Sequence, residues 1–327
     1  MSKYGRIVVE TTGVPDVMRW VEDEARSPAQ GEIRVRHEAI GVDYIDTQIR
    51  SGLLPATLPT GLGFAGVGMA VEVGAGVEHI KAGDRVAYMY FTAGSYSEER
   101  IVPAERAIAL PDQSLAADLA AGALFRGLTA WYLSTRLRHI GKGDAALVHA
   151  AAGGVGLILS QWLKHLGVTV IGTVDTEEKA AVVREYGCQH AVVLSKEDFV
   201  AKVNKVTGGA GVAIVYEAIG KETWERSLDC ARRFGLVASY GWPSGDPGEV
   251  SLMNLRTKGS LFVTRPTVTQ YTAEADDFRT GAAALFQLVK DGAIRIKVGN
   301  SYPLKEAHRA HTDIVAGRTV GSVVLIP

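Results

Sequence analysis

Apolar and polar positions fall into three successive textures along the chain. From Ile33 to about Pro103 the runs are short. Glu32-Ile-Arg-Val-Arg-His-Glu-Ala alternates with period two, the mark of a strand with one buried face. Gly66–Gly74 and Asp84–Tyr90 are further β-rich runs bounded by glycine-containing turns, which predicts a sharply bent, barrel-like sheet. From about Leu119 to Val263, β-branched runs alternate with helical patterns. Strands are predicted at 144–150, 168–174, 191–194, 212–217 and 236–241. Helices are predicted at 154–166, 176–186, 196–207 and 221–232. Such alternation predicts an α/β unit, a parallel sheet covered by helices on both faces. The stretch from Arg265 onward holds one helical pattern, 273–291, and the β run Gly321–Ile326, which is placed to return to the first sheet.

Composition adds mainly exclusions. The chain has 327 residues, 47% hydrophobic and 22% charged, with a formal net charge of −1. That is material for about two cores. It provides no basic field for nucleic acid or an anionic membrane. No run approaches the ~20 apolar residues of a membrane span, and the first residues lack the apolar core of a secretory signal. The two cysteines, Cys188 and Cys230, lie far apart and read as buried structural thiols in a reducing, cytoplasmic setting. His37, His79, His149 and His165 show no metal-like spacing and read as structural.

The segment richest in chemistry is His149-Ala-Ala-Ala-Gly-Gly-Val-Gly-Leu, between a predicted strand and a predicted helix. That is the context a dinucleotide fingerprint requires. Gly153 lets a pyrophosphate approach the backbone, Gly156 lets helix pack on sheet, and N–H groups at the helix start meet phosphate charge. Ala151 stands where the plain fingerprint has its first glycine. After the next strand comes Gly172-Thr-Val-Asp-Thr-Glu-Glu-Lys. Asp175 is placed to hold a ribose 2′-hydroxyl or to open the following helix, and Lys179 is placed to pair with a 2′-phosphate.

These segments, with Ala39-Ile-Gly-Val-Asp-Tyr-Ile-Asp-Thr-Gln-Ile-Arg-Ser-Gly, Gly76–Val86, Gly127-Leu-Thr-Ala, Trp224–Cys230, Lys258–Pro266 and the closing Leu-Ile-Pro, make a pattern covering nearly the whole chain. It resembles the zeta-crystallin-type quinone oxidoreductases, in the medium-chain dehydrogenase/reductase superfamily. The resemblance implies a GroES-like barrel domain at 1–122, completed by 266–327, and a Rossmann domain at 123–265. It also implies a homodimer, NADPH as donor (NADH being the alternative that Asp175 favours) and quinones as acceptors.

The resemblance implies site residues as well. Asp43, Tyr44, Asp46 and Arg50 would line the reacting site. Arg126, Thr129, Gly153, Gly154, Val155, Gly172, Thr173, Asp175, Lys179, Ile219, Tyr240, Gly241, Phe262, Val263, Arg265 and Arg318 would contact the cofactor. The chain departs from the family in having Asp43 for Asn, Gln48 for Tyr, Leu194 for a phosphate-contacting Tyr and Asp175 for a small neutral residue. No metal is expected. Zinc-dependent relatives carry Cys at the place of Asp43 and Gly-His-Glu at the place of Gly63-Phe64-Ala65. A catalytic zinc needs three protein ligands, and Asp43 alone is not a site.

In this reading the cofactor carries the chemistry and the protein aligns it. Reduction places negative charge on an acceptor oxygen, so a cation or proton donor from Tyr44, Arg50 or Asp43 would assist. The competing reading of Asp46 and Arg50 is an i, i+4 helical pair. Three functions follow from the scaffold: a quinone reductase, an enone reductase and a non-enzymatic dinucleotide-binding protein.

Overall fold

The structure, a computed structural model, describes residues 3–112 and 114–327. The first strands are β1 (Lys3–Val9), β2 (Met18–Glu24) and β3 (Glu32–Val42), followed by helix α1 (Tyr44–Ser51). Strands β4 (Ala65–Val73), β5 (Arg85–Met89), β6 (Glu99–Pro103) and β7 (Ala107–Ala109) lead to α2 (Ala117–Thr135). Alternation then sets in: β8 (Ala145–Val148), α3 (Gly154–His165), β9 (Thr169–Val174), α4 (Glu177–Glu185), β10 (His190–Val193), α5 (Phe199–Thr207). It continues with β11 (Val212–Glu217), α6 (Trp224–Cys230), β12 (Ala231–Ser239), α7 (Leu252–Thr257) and β13 (Phe262–Thr264). Helices α8 (Val268–Tyr271) and α9 (Ala275–Lys290), strand β14 (Val298–Pro303), helix α10 (Ala307–Val315) and strand β15 (Ser322–Ile326) follow.

The chain divides into two units. Met1–Arg126, Glu274–Lys290 and Ile296–Pro327 form the first; Gly127–Ala273 and Asp291–Arg295 form the second. The first unit is a bent sheet in which β3 pairs antiparallel with β4, β6 and β15. Register shifts along β3–β4 bend the ladder. Ile33, Val35, Ala70, Val86 and Val102 pack one core of this sheet, as the alternation predicts. The run at 321–326 does return here, with Val323–Leu325 against Ile40–Val42.

The second unit is a parallel sheet in the order β10-β9-β8-β11-β12-β13. Counted within the unit this is 3-2-1-4-5-6, the doubly wound arrangement, and its order reverses between β8 and β11. Leu147, Ile171, Val192, Val215 and Val237 fill the core against Phe199, Val203 and Leu228. The loops after β8 and β11 therefore sit where such a sheet presents ligands to its helices.

Several boundaries differ from the sequence pattern, among them β12, predicted at 236–241 and observed at Ala231–Ser239, and three have clear local causes. Helix α5 begins at Phe199 rather than 196 because the Asp198 side chain caps the N–H groups of Val200 and Ala201. Helix α6 begins at Trp224 because residues 219–223 are tied to the Glu217 carboxylate instead. It stops at Cys230 because Ala231 already belongs to β12.

Candidate functional site

In the second unit the chain leaves β8 through a tight turn. Ala150 takes the left-handed conformation, with φ 49°, and Gly153 N–H bonds back to the Ala150 carbonyl at 3.0 Å. Gly153 caps α3 and is exposed. The N–H groups of Gly154 and Val155 open the helix without intrahelical acceptors, a ready site for a phosphate. Gly156 is a packing glycine: a Cβ there would lie 2.5 Å from the Ala150 carbonyl and 2.7 Å from Ala151. Gly172 is another, since a Cβ would meet Ala151 Cβ and Cys188 Sγ at 2.8 Å. Its role is to let β9 approach the turn, so it is enclosed rather than open to ligand.

Thr173 is also enclosed. Its hydroxyl lies 2.9 Å from His149 Nδ1. At the end of β9, Asp175 and Lys179 form an ion pair of 2.8 Å, and Thr176, not Asp175, caps α4. Leu194 packs against the core. On the far side of the switch point, Ile219 N–H donates to Glu217 Oε1 at 2.7 Å. Tyr240 N–H bonds to the Glu217 carbonyl at 2.9 Å, and Gly241 comes so close to Ala218 that a Cβ would meet its carbonyl at 2.8 Å. Arg265 donates to Ser239 Oγ at 2.9 Å and lies over the Trp242 ring. Val263 is half-buried, and Phe262 is 58% exposed on the edge strand β13. Thr129 is buried in α2.

The first unit assembles a separate cluster around the start of α1. Asp43, its N-cap, is buried, with Oδ1 at 3.2 Å from Arg126 Nη2. Arg126 also donates to the Val42 and Gly122 carbonyls, so its guanidinium is engaged inside this unit. Asp43 Oδ2 has no partner among the described residues. Burial pushes the Asp43 pKa up, and the Arg126 charge opposes the shift. Tyr44, by contrast, is 38% exposed, and partial burial raises its phenol.

Asp46 does not line an open site and does not pair with Arg50. It is fully enclosed, accepting from Asp43 N–H at 2.9 Å, Gly63 N–H at 3.0 Å and Tyr96 OH at 3.1 Å. Burial, then the Asp43 charge, pushes its pKa up to about 7. Arg50 is buried and turned to the Gly13 carbonyl, stapling α1 to the loop between β1 and β2. Gln48 is buried as well. Arg318 is exposed and paired with Asp313, whose other oxygen accepts from Tyr302.

Sequence patterns passed over Tyr96 and His311, whose hydroxyl and Nε2 lie 3.0 Å apart behind Asp46. They also passed over Glu217, Thr223 and Ser227. The available signal was a carboxylate closing the apolar run Val212–Tyr216, a buried charge that needs partners. His37 and His79 bond to carbonyls at 2.6 and 3.0 Å, as structural histidines do. Both cysteines are buried, and burial pushes Cys188 up to about 11 and Cys230 to about 12. Among the described residues, no three His, Cys, Asp or Glu side chains gather in a metal-holding group.

Comparison with known proteins matches residues 29–112 to the alcohol dehydrogenase GroES-like domain and residues 154–287 to the zinc-binding dehydrogenase family. Quinone oxidoreductase 1 of Escherichia coli K12 is 43% identical over 325 residues, spanning 98% of this chain and 99% of the relative. A 2-haloacrylate reductase of Burkholderia is 42% identical over 327 residues, 98% of either chain. Among solved structures, the Escherichia coli quinone oxidoreductase complexed with NADPH superposes with a TM-score of 0.95, at 43% identity. It covers 99% of this chain and 100% of that one.

Proposed function

The chain belongs to the quinone oxidoreductase family of medium-chain dehydrogenases/reductases, and from that membership we propose an NADPH-dependent reductase of quinones or similarly polarised enones. The observation that carries this reading is the glycine turn at the carboxyl end of β8. Exposed Gly153 and the free N–H groups of α3 suit a pyrophosphate, and Lys179 stands on the adjacent helix α4.

Bound NADPH supplies the hydride. The acceptor gains that hydride and one proton, and the protein provides for the proton. Asp43 is the proposed donor. Burial favours its neutral form, Arg126 holds Oδ1, and Oδ2 remains uncommitted. Tyr44, the exposed phenol at the start of α1, is proposed to orient the acceptor oxygen. Asp46 and Arg50 hold α1 in place from below.

A homodimer is proposed through β13. This strand is an edge of the parallel sheet, and Phe262 on it is exposed, as are Leu252 and Met253 of α7 nearby in sequence. A two-fold pairing of β13 with its copy would cover that edge. A cytoplasmic setting is proposed from the free buried thiols. No described helix is long and apolar enough to cross a membrane.

The test is oxidation of NADPH by purified protein with a simple quinone in one assay and 2-chloroacrylate in another. Turnover of the quinone alone supports a quinone reductase, and turnover of the acrylate alone supports an enone reductase. NADPH binding without turnover of either overturns the catalytic reading.

A further inference from the structure

Glu217 closes strand β11 with its side chain wholly enclosed. A buried carboxylate persists only where donors replace water, and here they converge from several elements. Oε1 accepts from Ile219 N–H at 2.7 Å and Gly220 N–H at 3.1 Å. Thr223 Oγ1 lies 2.9 Å from each oxygen. Ser227 Oγ donates to Oε2. Behind Ser227 stands His149, with Nε2 at 2.9 Å from the serine oxygen and Nδ1 at 2.9 Å from Thr173 Oγ1.

Counting protons fixes the direction of this chain. A carboxylate only accepts, and a serine hydroxyl has a single proton to give. Ser227 gives it to Glu217, so its oxygen accepts from His149 Nε2–H. Burial pushes the imidazole pKa down, against the Glu217 charge at 3.6 Å, so the ring is neutral. Its single proton is then on Nε2, and Nδ1 accepts from the Thr173 hydroxyl.

The chain therefore runs from β9 through the end of β8 and α6 to the end of β11. The Glu217 carbonyl extends it by accepting the Tyr240 N–H beyond β12. These are the carboxyl ends of adjacent strands in the doubly wound sheet. His149 opens the glycine turn, Thr173 precedes Asp175, and Ile219 lies in the loop after β11.

We infer that Glu217 is a positioning residue for the dinucleotide: its charge orders the protons of the Ser227–His149–Thr173 chain and so holds the loops after β8, β9 and β11 in one arrangement. The inference rests on the reading of this unit as the NADPH-binding one. Loops held in place before binding spare the ligand the cost of ordering them.

Glu217→Gln tests it by removing charge and keeping shape. The amide oxygen still accepts from Ile219 and Gly220, but the amide nitrogen donates to Ser227. The buried Ser227 proton, left without its acceptor at Glu217, turns to His149 Nε2, and the His149 proton moves from Nε2 to Nδ1. Heteronuclear NMR of the ring nitrogens in ligand-free protein should show that exchange of tautomer. NADPH should bind about tenfold or more weakly, the scale of rearranging hydrogen bonds to a buried charge. Ser227→Ala cuts the chain while leaving Glu217 in place, and should weaken NADPH in the same direction. It carries the test alone if the glutamine variant does not fold. A folded variant with unchanged NADPH affinity, or an unaltered His149 tautomer in Glu217→Gln, overturns the inference. A parent protein that fails to bind NADPH overturns the underlying reading instead.

Discussion

Lys179 Nζ lies 2.8 Å from Asp175 Oδ2, so the cation suited to a 2′-phosphate is held by the acid suited to a 2′-hydroxyl. Asp175 is the more open partner, with 59% of its side chain exposed against 16% for Lys179. A 2′-phosphate must compete with Asp175 for the ammonium. A charge-assisted bond is worth about 1.5–3 kcal/mol, and the repulsion from Asp175 takes back part of it. NADPH should therefore be preferred over NADH by less than about a hundredfold. Asp175→Gly should widen the preference, and Lys179→Ala should narrow or invert it. Titration of both cofactors against the parent and the two variants decides it. Tighter NADH binding by the parent would show this account of the site to be wrong.

The glycine turn separates binding from folding at two neighbouring positions. Gly153 is exposed, and a Cβ there meets only the Ala150 carbonyl, at 3.2 Å. Gly153→Val should abolish NADPH binding while unfolding stays cooperative. At Gly156 the obstacle is the backbone of Ala150 and Ala151, which cannot swing aside. Gly156→Ala should cost about 1–3 kcal/mol of stability in denaturant titration, the usual scale of overpacking.

Metal content is a third test. With Asp43 paired to Arg126 and Phe64 in place of a ligand, elemental analysis should find no stoichiometric zinc, and a chelator should leave turnover unchanged. One tightly held zinc per chain, lost together with activity, refutes this.

The buried histidine behind Asp46 sets a pH dependence. Burial, then the Arg50 charge, pushes His311 down to about 3 from an ordinary 6.5. The unfolded chain takes up a proton below about pH 6.5 that the folded chain refuses. The stability His311 contributes is thus complete above pH 6.5 and is lost as pH falls toward 3. His311→Gln keeps an N–H for Tyr96 but does not titrate. Its stability deficit relative to the parent, measured by denaturant unfolding, should shrink steadily between neutral pH and pH 4. A constant deficit would remove His311 from the acid response.

The exposed edge offers a fifth measurement. Light scattering at micromolar concentration should give a dimer for the parent and a monomer for Phe262→Glu. A monomeric parent would leave β13 without its proposed partner.

The period-two run at 32–39 and the β-branched strands of the second unit announced their folds. Their side chains face one core each, and burial imposes the period. The glycine turn was legible for a similar reason, because close backbone approach permits few residue types. The polar clusters were not. Asp46 reads as a cleft residue beside Asp43 in sequence, yet its partners Gly63 and Tyr96, with His311 behind Tyr96, arrive from other elements. Glu217 draws on Thr223 and Ser227 ahead of it and, through Ser227, on His149 far behind. Such contacts follow no period, and a single sequence does not display them. Arg126 shows the same limit: beside Gly127-Leu-Thr-Ala it looks like a cofactor contact, while in space it meets Asp43.

The pairing of β15 with β3 has a consequence for how the protein is made. Ile40–Val42 receive their neighbours Val323–Leu325 only after the ribosome has delivered residues 127–273. Apart from 291–295, the second unit is complete in the exit tunnel's wake while β3 still shows an open edge, the kind of feature that recruits stray strands. Asp43 follows Val42 directly, so the strand that leads into α1 lacks this neighbour until residues 323–325 have emerged. On the roles proposed above, the dinucleotide unit of a nascent chain would be assembled before the strand edge leading to Asp43 is covered.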